Sequence, residues 1–290
     1  MSNNKPPGDQ CWVRGAGPML SYEVVGPAGD LSAASPITLL CLHGNSSHRG
    51  VWRLVARELH EIRSVLLDLR SHGDSEQVIP PAYNPEHHAA DIAEVVASLM
   101  RSPYAILGHS AGALVAARFL ATTTASGPAA MPVAFVWVDI DPLVPRWQVD
   151  YFRQRVASVA RPFPRVEDAL AGFRRMYPTV PRDRLESFVI EGLRRVNGGW
   201  RMKLDPATYA TWEPGDLRPD LPNIPTPTLV LRGTASIGSS SDGLIALGKA
   251  LPRCELREIQ GGSHLLLLEY PQEVAAAIRH FIGRQAHSSG

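Results

Sequence analysis

The chain has 290 residues, with 29 Lys and Arg against 28 Asp and Glu and a formal net charge of +1, so it lacks the bulk charge that holds nucleic acid or anionic lipid. Hydrophobic residues make up 44% and charged residues 20%, enough apolar material for one large α/β domain or two small ones and too little charge for a disordered chain. Cys11, Cys41 and Cys254 are odd in number and far apart with no CxxC spacing, which indicates neither a disulfide framework nor a zinc site and fits a reducing compartment.

Residues 1–10 carry one Lys and no apolar stretch of the signal-peptide kind, and no apolar run approaches the roughly 18 residues that a membrane span needs. The expectation is a cytoplasmic protein with no membrane partner. Residues 12–14 and 20–25 read as an antiparallel hairpin at a sheet edge. From Ser35 onward, β-branched or Leu-rich runs at 37–42, 65–69, 104–107, 133–140, 228–231 and 255–259 alternate with helical spacing at 51–60, 85–100 and 273–282. That rhythm predicts a mostly parallel sheet covered by helices.

The rhythm breaks between Pro142 and Pro219, where 151–160, 166–176 and 184–196 read as helices and no strand is expected. This stretch holds thirteen Arg and one Lys against nine acidic residues, a local charge of +5 that leaves −4 for the rest. The arginines have two readings. Either they solvate the exposed faces of surface helices, or a few line an entrance for an anionic, carboxylate-bearing small molecule.

The most informative segment is Gly108-His109-Ser110-Ala111-Gly112, a G-x-S-x-G pattern after the apolar run 104–107 and before the helical stretch 113–121. A sharp strand-to-helix turn needs glycine on both flanks, because a side chain there collides with neighbouring backbone while Ser110 is held up at the strand tip. The alternative is a Gly-rich turn with an N-capping serine.

With these residues the sequence resembles the α/β-hydrolase superfamily from Leu20 to Arg284, and three further motifs follow in order. His43-Gly44-Asn45-Ser46-Ser47 resembles the oxyanion-hole loop. Asp68-Leu69-Arg70-Ser71-His72-Gly73-Asp74-Ser75 resembles the D-x-R-G-H-G-x-S turn, with Ser71 where Gly is usual, and Gly261-Gly262-Ser263-His264 stands where the catalytic histidine is kept. The resemblance implies an α/β-hydrolase fold, with a mostly parallel eight-stranded sheet, helices on both faces and a helical lid. Residues 1–141 and 219–290 would form the core and 142–218 the lid, whose Trp147, Phe152, Phe163, Phe173 and Tyr177 would shape an apolar pocket.

It also implies a serine hydrolase acting on an ester, lactone or related carbonyl compound. Ser110 would be the nucleophile and His264 the base, with the backbone N–H groups of Asn45 and Ala111 as the oxyanion hole, and no cofactor or metal. A Ser nucleophile argues against the dehalogenase and epoxide-hydrolase branches. The third member departs from the pattern, because the usual position of the acid is Ser236. Asp139, at the carboxyl end of the strand after the nucleophile helix, fits the rule that such sites gather beyond strand ends. Some superfamily members keep their acid there. Asp242 and Asp141 are the alternatives, Asp242 reading equally as a helix N-terminal residue.

His43, His72 and His109 read as structural hydrogen-bonders and Cys41 as a small buried hydrophobe, while His48, following the oxyanion loop, is placed at the mouth of the site. His87, His88 and Asp91 have metal-like helical spacing without further ligands. Two rivals share the scaffold. One is a cofactor-free dioxygenase in which His264 and Asp139 deprotonate a heteroaromatic substrate; the other is a non-catalytic receptor, which the missing acid at Ser236 favours. Substrate identity and oligomeric state are not readable from the sequence.

Overall fold

A computed structural model of the chain describes residues 10–27, 37–100, 103–123 and 131–288, so expectations placed on residues 1–9 and on Ser35 lie outside it. Ten strands occur in chain order among these residues. β1 (Cys11–Arg14) and β2 (Met19–Val25) form the expected edge hairpin, and β3 (Thr38–Leu42), β4 (Ser64–Leu67), β5 (Tyr104–His109), β6 (Ala134–Val138), β9 (Thr228–Gly233) and β10 (Cys254–Ile259) complete an eight-stranded sheet. The spatial order is β1-β2-β4-β3-β5-β6-β9-β10. β2 runs antiparallel to its neighbours, and the remaining pairs are parallel.

β3 shows why these strands are apolar runs. Leu39 and Cys41 enter the core layer on one face, Leu40 and Leu42 the layer on the other, so both faces need apolar side chains. One layer is closed by α1 (Arg53–Glu58) and α11 (Pro271–Ser288), the other by α2 (Pro85–Leu99), α3 (Ala111–Thr123) and α9 (Ser241–Ala250). α2 starts where its sequence provides a cap: the Asn84 side chain accepts the His87 N–H at 3.1 Å and Pro85 occupies the first turn.

Between β6 and β9 lie α4 (Arg146–Gln154), α5 (Val156–Ala160), α6 (Val166–Met176), α7 (Arg182–Glu191) and the short α8 (Ala207–Ala210). The expected helix at 184–196 is corrected here. α7 ends at Glu191, and β7 (Leu193–Val196) pairs antiparallel with β8 (Gly199–Met202), so this segment does contain strands. The two-residue connection is Asn197-Gly198, a hairpin signal with Gly198 at φ +86. The segment's two ends meet where the Leu217 N–H donates to the Pro142 carbonyl at 3.0 Å. No helix among the described residues is long and apolar enough to cross a membrane.

Candidate active site

The strand order puts the carboxyl ends of β5, β6 and β9 side by side, and the functional side chains follow from that row. Ser110, the first residue past β5, has φ +53, and its N–H donates to the Val138 carbonyl at 2.8 Å. Glycine is required around it. A Cβ at Gly108 would stand 2.5 Å from the Ala113 Cα, and one at Gly112 would stand 2.5 Å from the Leu42 and His43 carbonyls.

Asp139 is the first residue past β6 and also has a left-handed backbone, φ +57. Ser46 at φ +63 and Ser71 at φ +62 complete the described non-glycine residues in that region, and the latter explains why glycine is usual at position 71. All four lie on loops at the carboxyl ends of β3, β4, β5 and β6, and left-handed backbone of this kind clusters at functional sites.

The Asp139 carboxylate, 1% exposed, receives a set of convergent donors. His264 Nδ1–H donates to Oδ2 at 2.7 Å, the Gly233 N–H to Oδ1 at 3.0 Å and Ser239 Oγ–H to Oδ1 at 2.8 Å, while Ser236 Oγ–H makes a short bond to Oδ2. Burial pushes the carboxyl pKa up, but the hydrogen bond and charge of His264, together with Ser236 and Gly233, hold it below its ordinary value. Asp242, in contrast, is exposed in the first turn of α9, and Asp141 accepts the Ser240 N–H at 2.9 Å and hydroxyl at 2.7 Å. Among the described carboxylates, Asp139 is the one hydrogen-bonded to the His264 ring.

His264 is held from below as well. The His109 Nε2–H donates to its carbonyl at 2.8 Å, and the two rings stand 4.8 Å apart. Burial and the neighbouring His264 push the His109 pKa down to about 3, so this ring is a neutral support. Gly238 passes so close that a Cβ there would come within 2.2 Å of His264 Nδ1.

Ser110, His264 and Asn45 line one cavity of about 410 Å³, within the size range of small-molecule sites. A Cβ at Gly44 would lie 3.3 Å from Ser110 Oγ, so the loop carrying Asn45 sits directly against the serine. Ala111 opens α3, where no preceding carbonyl serves its N–H. Of the aromatic residues expected in the pocket, Trp147, Phe152 and Tyr177 line this cavity. Phe163 instead bridges Trp200, and Phe173 packs into the core layer. Tyr151 and Trp212 were not anticipated as lining.

His48 is not at the mouth. It is 3% exposed, stacked on Phe188 with centroids 4.5 Å apart, and its Nε2–H donates to the Phe188 carbonyl at 2.9 Å. His43 bridges two loops: Nδ1–H donates to the Gly44 carbonyl at 2.7 Å and Nε2 accepts the Leu69 N–H at 3.0 Å, which fixes a neutral tautomer. Asp91 is committed to Arg70 through bonds of 2.6 and 2.8 Å, so the His87-His88-Asp91 spacing serves an ion pair. The buried Cys41 thiol has its pKa pushed up by burial. Several arginines between Pro142 and Pro219 pair with acids of the same stretch: Arg153 with Glu213, Arg165 with Asp168, Arg174 and Arg182 with Glu186, and Arg218 with Asp216.

A sharp serine turn, a buried Asp–His pair and an apolar cavity at the carboxyl ends of a mostly parallel sheet define the hydrolase class of α/β proteins. The alpha/beta hydrolase family matches residues 39–277, and the chain belongs to it. It is 27% identical over 248 residues to 2-(acetamidomethylene)succinate hydrolase of Mesorhizobium japonicum, covering 84% of this chain and 87% of the relative. It is 30% identical over 269 residues to Lipase LipV of Mycobacterium tuberculosis, covering 91% and 98%. The crystal structure of E-2-(acetamidomethylene)succinate hydrolase superposes with a TM-score of 0.83 at 23% identity, covering 95% of this chain and 99% of that one, a likeness of fold. The protein is an enzyme, a hydrolase.

Proposed function

We propose that the protein is a serine hydrolase that cleaves a carboxylic ester or related carbonyl compound through an acyl-enzyme on Ser110. The observation that carries this reading is the 2.7 Å hydrogen bond from His264 Nδ1–H to the buried Asp139, made beside a left-handed Ser110 on the same cavity. With Nδ1 engaged, the lone pair of the neutral ring is on Nε2 and takes the proton as Ser110 Oγ attacks the substrate carbonyl. Asp139 stays ionised and stabilises the imidazolium. The backbone N–H groups of Asn45 and Ala111 meet the developing oxyanion, each worth about 3 kcal/mol. His264 then passes its proton to the leaving alcohol. A water, deprotonated in turn by His264, releases the acid and regenerates Ser110.

In this reading the segment 142–218 is a lid: α4 and the end of α6 carry Trp147, Tyr151 and Met176 onto the cavity over Ser110. A fluorophosphonate probe tests the mechanism directly. It should attach one phosphonyl group, located by mass spectrometry to Ser110, and Ser110→Ala should neither label nor turn over p-nitrophenyl butyrate while keeping its melting temperature. An unlabelled wild-type chain that binds small molecules would favour the receptor. A Ser110→Ala variant retaining oxygen-consuming turnover would favour the dioxygenase.

A further inference from the structure

The cavity carrying Ser110 differs in charge from the substrate named for the Mesorhizobium relative. Its described lining contains neither Lys nor Arg, and its ionisable side chains are those of His264, Tyr151 and Tyr177. Tyr177 is buried deeply enough that its phenol is pushed up to about 12, so it is neutral at cellular pH. The walls are supplied by Ile140, Trp147, Tyr151, Phe152, Tyr177 and Trp212. Phe152 and Trp212 meet edge to face, with centroids 4.8 Å apart, in a geometry that leaves ring faces for an apolar occupant. The apolar character continues outward. Trp147 (59% exposed), Ile237 (81%), Met176 (48%) and Tyr151 (40%) all line the same cavity, and they come from three separate parts of the chain. Exposed large apolar side chains gathered around one opening mark a ligand entrance rather than ordinary surface.

A carboxylate inside such walls would lose its hydration and meet no Lys or Arg, with only neutral donors such as Asn45, Gln148 and Thr179 to offset the loss. One cation stands against these walls, Arg155, an exposed residue whose guanidinium sits 4.9 Å from the Tyr151 ring centroid. It lies outside the cavity lining.

We infer that the substrate is a neutral ester whose apolar part, a ring or a short to medium chain, fills this cavity, and that the site rejects dicarboxylate derivatives. The inference rests on the Ser110 mechanism proposed above and adds the substrate's charge class to it. Of the two readings of the arginine-rich segment, solvated helix faces or an entrance for an anionic substrate, the second runs the other way, but none of those arginines is in the described lining.

The test uses two nearly isosteric substrates, p-nitrophenyl butyrate and mono-p-nitrophenyl succinate, which differ in replacing a terminal methyl by a carboxylate. Each is assayed with active sites titrated by the fluorophosphonate probe. The expected result is a kcat/KM at least 100-fold higher for the butyrate; a ratio near one, or one favouring the succinate, overturns the inference. Met176→Arg, which puts a cation at the mouth away from the catalytic groups, should narrow that ratio about 10-fold. An unchanged ratio in that variant would mean that charge is not what the cavity discriminates, and would equally overturn it. Failure of labelling at Ser110 would instead break the mechanism, so the two failures are distinguishable.

Discussion

Two cavities of this molecule differ in a way that volume does not predict. Between α1 and α7 lies a cleft of about 790 Å³ whose walls include Glu23, Arg49, Arg53, Asp74, Glu191 and Lys203. Over the strand ends lies the cavity of about 410 Å³ with Ser110 and His264. The larger cleft is the more polar, yet six of its charged side chains are tied into ion pairs, while Arg57, Asp183 and Arg184 also line it. Arg53 spans Glu23 and Glu191, donating to Glu23 at 2.5 and 3.1 Å and to Glu191 at 2.7 Å. Arg49 pairs with Asp68 and, at 3.0 Å, with Asp74, and Lys203 reaches Asp74 at 2.8 Å. Because Glu191 and Lys203 belong to the inserted segment and the others to the core, these pairs tie the segment down. His264 opens onto the smaller cavity and is backed by the buried Asp139 outside its lining. Charges that satisfy one another build structure, whereas a pair with one open face is the arrangement that the proposed mechanism uses.

The largest expected effect sharpens the catalytic side of that contrast. Asp139→Asn should lower kcat about 10⁴-fold, because an amide at that position no longer fixes the imidazole tautomer or stabilises the imidazolium. The melting temperature should move little, since one amide oxygen keeps the Gly233 N–H and Ser239 hydroxyl bonds now made to Oδ1, and the Ser236 hydroxyl, now on Oδ2, can turn to accept from the amide N–H. Adding Ser236→Asp to that variant offers an acid from the position usual in the superfamily. Ser236 Oγ already reaches the same carboxylate oxygen as His264 Nδ1, so the double variant should recover at least 10-fold of the lost rate. Activity left intact by Asp139→Asn, measured by p-nitrophenyl ester hydrolysis, would show that this carboxylate does not serve the histidine.

The charged cleft should respond in the opposite currency. Arg53→Met takes from Glu23, which is 5% exposed, and from Glu191 the cation they share, and leaves Glu23 its longer pair with Arg49 at 3.8 Å. Burial raises the Glu191 pKa, but its bonds from Arg53 and the charge of His48 hold it low, so removing Arg53 removes the main compensation. Breaking a buried pair by deleting one partner costs about 3–5 kcal/mol. Urea unfolding should show that loss, while kcat at temperatures well below the transition stays within a few-fold. A drop in kcat of the Asp139→Asn size with unchanged stability would mean that the cleft, and not only the apolar cavity, takes part in the reaction.

These two regions were not equally legible in the amino-acid sequence. The serine turn is local: five consecutive residues carry the glycines that the backbone needs, and the adjoining strand and helix have clear periodicity. Asp139 was readable because strand ends point to the site, although Asp242 and Asp141 remained open until the ring of His264 could be seen. The hydroxyls that hold Asp139 were not readable, since Ser236 and Ser239 lie 97 and 100 positions away and nothing in a serine-rich turn says what it faces. The β7–β8 hairpin was missed because Leu193–Val196 continues the helical spacing of α7, and only Asn197-Gly198 marks the reversal. His48 was placed at the mouth from chain proximity alone, whereas its ring turns away to Phe188. The charged cleft had no signature at all, being assembled from β2, α1, the turn at Asp74 and the far end of the inserted segment.

Acid separates the two regions by the smallest of these effects. His43, His48, His72, His88 and His109 are buried around the loops that back the Ser110 cavity, and burial lowers the pKa of each. In the unfolded chain each titrates near ~6.5, so below that pH the unfolded state binds protons that the folded state refuses. Stability is therefore full above about pH 6.5 and falls as pH drops, by at most about 1.4 kcal/mol per pH unit for each histidine. The carboxylates Asp74 and Glu191 of the charged cleft are held below their ordinary values by Lys203, Arg49 and Arg53, so between pH 7 and 5.5 its pairs stay ionised. Urea midpoints should decline across that window, and amide exchange at pH 5.5 should rise first in the loops at 43–48 and 68–75 rather than in α1, the cleft wall that carries Arg53. A flat midpoint, or exchange that rises first in α1, would place the acid-labile part of the molecule at the cleft instead.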